Sequence, residues 1–528
     1  MADHPEPAPH HPRHATAPQR GAAPHPRGTA RPHRPVVVGV DSSTQSAKAV
    51  VVDTATGALL GLGRAPHTVT GTHGARESDP ETWWTALAHA VADALAQADV
   101  PARAVTGIAV AGQQHGLVTL DTPGGRPLRP ALLWNDTRSA PQAAALTGAF
   151  GGPDAWLERT GSVPVASVTA AKWQWLREHE PAVASRTGAV RLPHDFLTER
   201  LCGEAVTDPG DASGTGWYDT GRAAHDPDLL TLLGLDPALL PAVAPTGGTR
   251  AGTLTRAAAD VLGLPAGIAV AAGTGDNMAA AVGLGLGARG LLDHPVVSLG
   301  TSGTVFAATR TRPASPGIAG FAATDGTYLP LGCTLNCTLA VNKVAALLGL
   351  DREDATPGDG LVLLPYLDGE RTPDLPHAAG LLTGLRHAST PQALLGAAYE
   401  GAVFTVLRAL DELLATCGLD PADPAVRDRP LRLIGGGARG KLWTKTVRRL
   451  SGRPLIVPAA TELVALGAAA LAAAAASGDT SHDGADPVAI AGAWGTGAGE
   501  TLEPVERDEA TWRRVADVLD RATPALLS

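Results

Sequence analysis

A chain of 528 residues exceeds what one hydrophobic core ordinarily organises, so two or more domains are expected. With 44% hydrophobic and 18% charged residues the composition is globular, and a net charge of −10 argues against non-specific nucleic-acid binding. Four cysteines make no disulfide framework, and Cys333 and Cys337 form a lone C-x3-C, so a reduced cytoplasmic protein without structural zinc is expected.

Residues 1–34 are rich in Pro, His, Ala and Arg and show no apolar periodicity. Such a segment cannot bury enough surface to offset chain entropy, so a disordered, solvated tail is expected. It has no apolar core of a secretory signal. Folding starts at "PVVVGVDSSTQSAKAVVVD", which predicts a buried strand over 36–40, a polar turn, and a second strand over 49–53. Asp41 opens that turn beside Ser42, Ser43 and Thr44. Such a carboxylate caps hairpins routinely, and it can equally hold Mg²⁺ through water while backbone N–H groups meet phosphate oxygens.

A helix is expected over "ETWWTALAHAVADALAQA", then a strand in "TGIAVAGQQHG". Gln113, Gln114 and His115 follow that strand and suit the reading of sugar hydroxyls, although an isolated His is more often structural. "LLWNDTRS" adds Trp134, Asn135 and Asp136, and "SVTAAKWQWLREH" reads as another helix. In "GIAVAAGTGDN" Asp276 stands between a strand and an Ala-rich helix. Capping of that helix by Asp276 or Asn277 is the leading expectation. A carboxylate at a sheet edge is also placed to take a proton from a hydroxyl.

"HPVVSLGTSGTVFAAT", residues 294–309, repeats the strand–turn–strand pattern about 260 residues after its first appearance. Two halves, each with one phosphate-holding hairpin, are therefore expected. The loop "LLPYLDGERTP" carries Asp368, Glu370 and Arg371 without an assignable role. Strand, helix, strand and helix close the chain, and the alternation throughout indicates α/β layers. The Ala-rich run near 463–477 is too short and too weakly apolar to span a bilayer, so no membrane partner is expected. "LRLIGGGARGKLW" contains Gly435-x4-Gly440-Lys441, a P-loop pattern except that Leu442 replaces the Ser or Thr that would hold Mg²⁺.

Taken in order, "GVDSSTQSAK", "GQQHG", "LLWNDTR", "LPHDFLTERLCGE", "TDPGDASGTGWYD", "GTGDN", "SLGTSG", "LPYLDGERTP" and "LIGGGARGKLW" resemble the FGGY carbohydrate kinases, and within them the xylulokinases. The resemblance implies an α/β actin-like ATPase fold: two RNase H-like domains with an interdomain cleft. A sugar-binding domain over 35–288 and a nucleotide-binding domain over 289–528 are implied. The implied reaction moves the γ-phosphoryl group of Mg·ATP to a ketopentose, D-xylulose becoming D-xylulose 5-phosphate.

By position, Asp276 matches the catalytic base and Asp41 the Mg²⁺-associated carboxylate. Gln114, His115, Trp134, Asp276 and Asn277 fall on the sugar side. Ser43, Thr44, Thr301 and Ser302 fall in the phosphate hairpins, and Gly436, Gly437 and Ala438 match the adenosine turn. Lys441 then becomes a helix residue and not a P-loop lysine. Many xylulokinases carry Met at Gln114 and Lys at His194, so ribulose, gluconate and polyol substrates stay open. Glycerol is the least expected, for want of that branch's Arg-Glu motif near residue 114. A non-catalytic sugar sensor of the same fold is a further alternative, against which both retained carboxylates argue. The sequence leaves the oligomeric state open, a homodimer included.

Overall fold

The computed structural model describes residues 34–526 apart from 286, 288–291, 376 and 479–484. The expected tail, except exposed Arg34, lies outside the described residues. The Val run after it becomes β1 (Val36–Ser42), buried along its whole length. A strand covered on both faces reads as a continuous apolar run, and each Val buried there contributes about 1.5–3 kcal/mol. β2 (Ser46–Asp53) pairs antiparallel with β1 and with β3 (Leu59–Pro66). The strands extend further into the motif than expected. Asp41 and Ser42 remain in β1, opposite Lys48 and Ala47, and the turn shrinks to 43–45.

The first sheet is completed by β4 (Val105–Gly112), β5 (Arg250–Thr253), β6 (Ala269–Ala271) and β7 (Thr274–Gly275). Its order is β5–β6–β4–β1–β2–β3, with β7 also on β4. The expected helix forms as α1 (Pro80–Ala98), where Asp79 accepts from the Glu81 amide and Pro80 occupies the first turn. α2 (Pro193–Cys202) buries Phe196, Leu197 and Leu201 in the same core as α1.

The second sheet contains β8 (Val296–Leu299), β9 (Gly303–Phe306), β10 (Ala319–Ala322), β11 (Tyr328–Thr334), β12 (Leu431–Ile434), β13 (Leu455–Pro458) and β14 (Gly499–Leu502). Its order is β10–β11–β9–β8–β12–β13–β14. In both sheets the first hairpin continues antiparallel on one side. On the other side it continues through two parallel strands, β4 and β6 in one sheet, β12 and β13 in the other. The repeated strand–turn–strand pattern thus marks two copies of one topology, the RNase H-like arrangement.

α3 (Asp276–Gly283) follows β7, while α4 (Pro391–Thr416), α5 (Lys441–Ser451) and α6 (Leu463–Ala476) belong to the second half. α6 nevertheless packs on the first sheet, against Val37, Val50, Ala109 and Ala269. Its small side chains permit close approach. A methyl at Gly39 would stand 2.1 Å from the Ala465 carbonyl, and one at Gly467 1.9 Å from that of Ala279 in α3. Among the described residues α4 is the one helix long and apolar enough to cross a membrane, but 89% of its apolar stretch is buried in the second core.

Candidate active site

Three stretches of candidate residues leave the first sheet at one edge, and the register explains why. Asp41 stands beside Ala111 and Ser42 beside Gly112 on one flank of β4. Thr274 and Gly275 stand beside the same two residues on the other. The chain segments that follow, 113–115 from β4 and 276–277 from β7, therefore emerge next to Asp41. The carboxyl edge of parallel strands is where α/β sheets hold ligands.

Asp276 does not cap its helix. Gly275 takes the N-cap position, no side chain caps the turn, and Asp276 is the first helical residue. Its Oδ1 accepts from the Asn277 backbone N–H at 2.8 Å and from Asn277 Nδ2 at 3.0 Å. Asn277 Nδ2 also donates to Gln114 Oε1 at 2.9 Å, so these three sequence-picked residues form one cluster. Burial, with the Asp41 and Asp211 carboxylates nearby, pushes the Asp276 carboxyl up to about 7. Desolvation and like charge both disfavour its ionised form, and a base poised near neutrality is the result.

His115 is buried, with φ at 63°, a left-handed backbone that side-chain-bearing residues seldom adopt. Its Nδ1 lies 2.8 Å from the Gly214 carbonyl, which can only accept, so Nδ1 carries the proton and Nε2 is left as an acceptor. Burial, helped by Lys172, lowers its pKa to about 3, which keeps the ring neutral. Phe321, from the second half, packs 5.5 Å from the imidazole. Gln113 is also buried, and among the described residues neither atom of its amide group has a hydrogen-bond partner.

Trp134 is half-buried and donates through Nε1 to Thr44 Oγ1 at 3.0 Å, tying it to the first hairpin. Asp136 has a structural task. It accepts from the Arg76 amide and from Arg138, which hold its carboxyl below the usual range against the opposing effect of burial. Lys172 escaped the sequence reading. It is fully buried, donates to the Ser167 carbonyl, and is lowered by burial to about 7. Arg371 of the unassigned "GERTP" loop adds to that lowering, which places its positive charge near this side of the site.

In the first hairpin, Asp41 accepts from Ser43 Oγ at 2.6 Å and pairs with Lys48 at 3.4 Å. Burial raises its pKa and Lys48 opposes the rise. Lys48 also reaches Glu462 at 2.9 Å, just before α6. Neither Lys48 nor Glu462 was singled out from sequence. The cue for Lys48 lay in the hairpin pairing that sets it opposite Asp41.

Thr301 and Ser302 occupy the β8–β9 turn, where the Thr301 carbonyl accepts from the Cys337 amide. Gly436–Ala438 lie at the end of β12, the parallel neighbour of β8. Gly435 has φ at 86° and passes so near Leu299 that a methyl would stand 2.7 Å from its carbonyl. The two turns are thus adjacent, and among the described residues no hydrogen bond joins them to the Asp276 cluster. Lys441 begins α5 and is exposed, while Leu442 packs against the second core.

The chain matches the model of the FGGY family of carbohydrate kinases, N-terminal domain, over residues 36–283 and that of the C-terminal domain over 296–476. It is 57% identical to the xylulose kinase of Streptomyces coelicolor, covering 93% of this chain and 97% of that protein. It is 33% identical to the xylulose kinase of Haemophilus influenzae, over 82% of this chain and 89% of that one. The crystal structure of xylulose kinase from Bifidobacterium adolescentis matches with a TM-score of 0.74 at 33% identity, covering 92% and 99% of the two chains. Two duplicated sheets, a carboxylate cluster at the edge of the first and these likenesses agree: the chain belongs to the FGGY family of carbohydrate kinases.

Proposed function

We propose that the enzyme phosphorylates the terminal hydroxyl of a ketopentose, D-xylulose, to give D-xylulose 5-phosphate. The observation that carries this reading is Asp276, whose Oδ1 is held by Asn277 and whose pKa stands at about 7. The likeness to xylulose kinases over nearly the whole chain supports the choice of sugar. Gln114, Asn277, Trp134 and the neutral His115 bind the sugar, with His115 Nε2 accepting from a hydroxyl. Asp276 takes the proton of the attacking hydroxyl, whose oxygen bonds to the γ-phosphorus as the bridge to the β-phosphate breaks and ADP leaves. Ser43, Thr44, Thr301 and Ser302 hold the phosphates, and Gly436, Gly437 and Ala438 pass along the adenosine.

Mg²⁺ suits Asp41, whose carboxylate stands at the strand end beside the Ser43 hydroxyl, because Mg²⁺ is commonly held by one carboxylate plus nucleotide phosphates. When bound, it neutralises charge on the phosphoryl oxygens. All four cysteines are free and buried, which supports a cytoplasmic setting.

A coupled ADP-release assay over D-xylulose, the ribulose isomers, gluconate, glycerol and pentitols tests the assignment. D-xylulose is expected to give the highest kcat/KM. A better rate with any other sugar overturns the substrate, and ADP release indifferent to sugar overturns the kinase reading.

The pH dependence follows from Asp276. A base with a raised pKa is protonated, hence inactive, below that value and free above it. kcat/KM for the sugar should therefore climb as pH rises through about 7. A profile flat from pH 5.5 to 8 would contradict this.

A further inference from the structure

Beside Asp276 lies a buried charged cluster in which Asp211, which helps to raise Asp276, is joined by groups with no part in the chemistry above. His194, near the start of α2, has no solvent exposure. Its Nδ1 donates to Asp211 Oδ2 at 2.6 Å, and its Nε2 lies 3.2 Å from Asp195 Oδ1 and 4.0 Å from Asp208 Oδ1. None of the three carboxylates is more than 1% exposed. One imidazole thus lies within 4.0 Å of three buried carboxylates.

The other neighbours of His194 are uncharged or already engaged. β4 and the β6–β7 link approach it through Gly112 and Gly273. Asp208 accepts from Thr274 Oγ1 and faces Tyr218. Arg191, which acts on Asp195, is bound to Glu199.

From Asp211 the cluster leads to the active site. Asp211 Oδ1 and Gln114 Nε2 are both buried, and neither has a hydrogen bond of good geometry among the described residues. Both border Gly275: a methyl there would lie 3.0 Å from Gln114 Cδ and 3.2 Å from Asp211 Oδ1. The Gln114 amide is close enough to favour the Asp211 carboxylate, although burial raises that group overall. Gln114 Oε1 then accepts from Asn277 Nδ2, which donates to Asp276 Oδ1.

We propose that His194 is a positioning residue for phosphoryl transfer, its charge keeping Asp211 ionised so that Gln114 and Asn277 hold Asp276 in one orientation. The proposal rests on the reading of Asp276 as the base. Its logic is hydrogen-bond polarity. An ionised Asp211 can only accept, so it favours the Gln114 NH2 on its own side and Oε1 toward Asn277. The Asn277 NH2 is then turned toward Asp276. If an uncharged side chain stands in for His194, a buried carboxylate takes up a proton, because three bare charges cannot persist there. A protonated Asp211 donates, Gln114 flips, and its NH2 meets the Asn277 NH2. Asn277 must then turn its oxygen toward Asp276.

Burial alone would lower the imidazole, but Asp195, Asp211 and Asp208 hold it up at about 9. A raised pKa means that the imidazolium is present below about pH 9 and lost above it.

The test compares His194→Gln, which removes the charge, with His194→Lys, which supplies a cation in its place. We expect H194Q to lose on the order of ten-fold in kcat with a smaller change in the KM for D-xylulose, and H194K to restore most of it. In a Gln114→Met background the chain is already cut, so H194Q should add little further loss. Wild-type kcat in folded H194Q, or a folded H194K no better than H194Q, overturns the proposal. Should H194Q fail to fold, a folded H194K with kcat about ten-fold or more below wild type overturns it. Near-normal turnover in Asp276→Asn would instead remove the base reading, a separate outcome.

Discussion

Asp276→Asn is expected to lower kcat by roughly 10²- to 10⁴-fold while the sugar Kd moves little. The change is nearly isosteric, and the new Oδ1 can still accept from the Asn277 amide and side chain that hold the present carboxylate. The ability to accept a proton is what disappears. Stability should not suffer, because the wild-type carboxyl is pushed up first by burial and then by the Asp41 and Asp211 carboxylates, and the substitution relieves both. Steady-state kinetics, sugar titration by calorimetry and a melting curve separate the effects. Turnover near the wild-type rate would exclude Asp276 as the base. Lost sugar binding with a lowered Tm would mean that the residue supports the fold instead.

The sequence made most of this edge legible because its elements are locally determined. The Val runs of β1 and β2 and the helix α1 form where their patterns place them, the two strands running a little further into the turn. Two kinds of feature were not legible. One is partnership between distant segments: α6 reads as a buried helix, but nothing in its Ala-rich run says that its partner is the sheet of the other half. The other is charge in the interior. Lys172 and His194 sit in stretches that look like ordinary helix, and only the packed structure shows Lys172 ringed by carbonyls and His194 by carboxylates. Asp136 shows the converse, an apparent sugar ligand already consumed by Arg138 and the Arg76 amide. Local pattern reveals which groups reach an edge. It does not reveal which of them are already paired.

Substitution in the turn resembling a P-loop should divide its residues sharply. Gly436→Val is expected to raise the KM for ATP by roughly 10- to 100-fold without affecting sugar affinity, whereas Lys441→Ala should change it less than about five-fold. A methyl at Gly436 meets nothing within 4 Å, so the protein itself tolerates the side chain, and a penalty must come from whatever lies against that open space. Gly437 would not serve, since a methyl there stands 2.8 Å from Leu299 Cβ and would disturb the core. Lys441 is exposed at the first position of α5, and a solvated charge in that setting contributes little even to a bound phosphate. In the proposed reading two other hairpins, at 43–45 and 300–302, hold the phosphates, so the lysine is not needed for them. Nucleotide titrations of the two variants decide the matter. An unchanged KM in G436V removes the adenosine from this turn. A loss in K441A as deep as that in D276N would restore the lysine as a phosphate ligand and with it the P-loop reading.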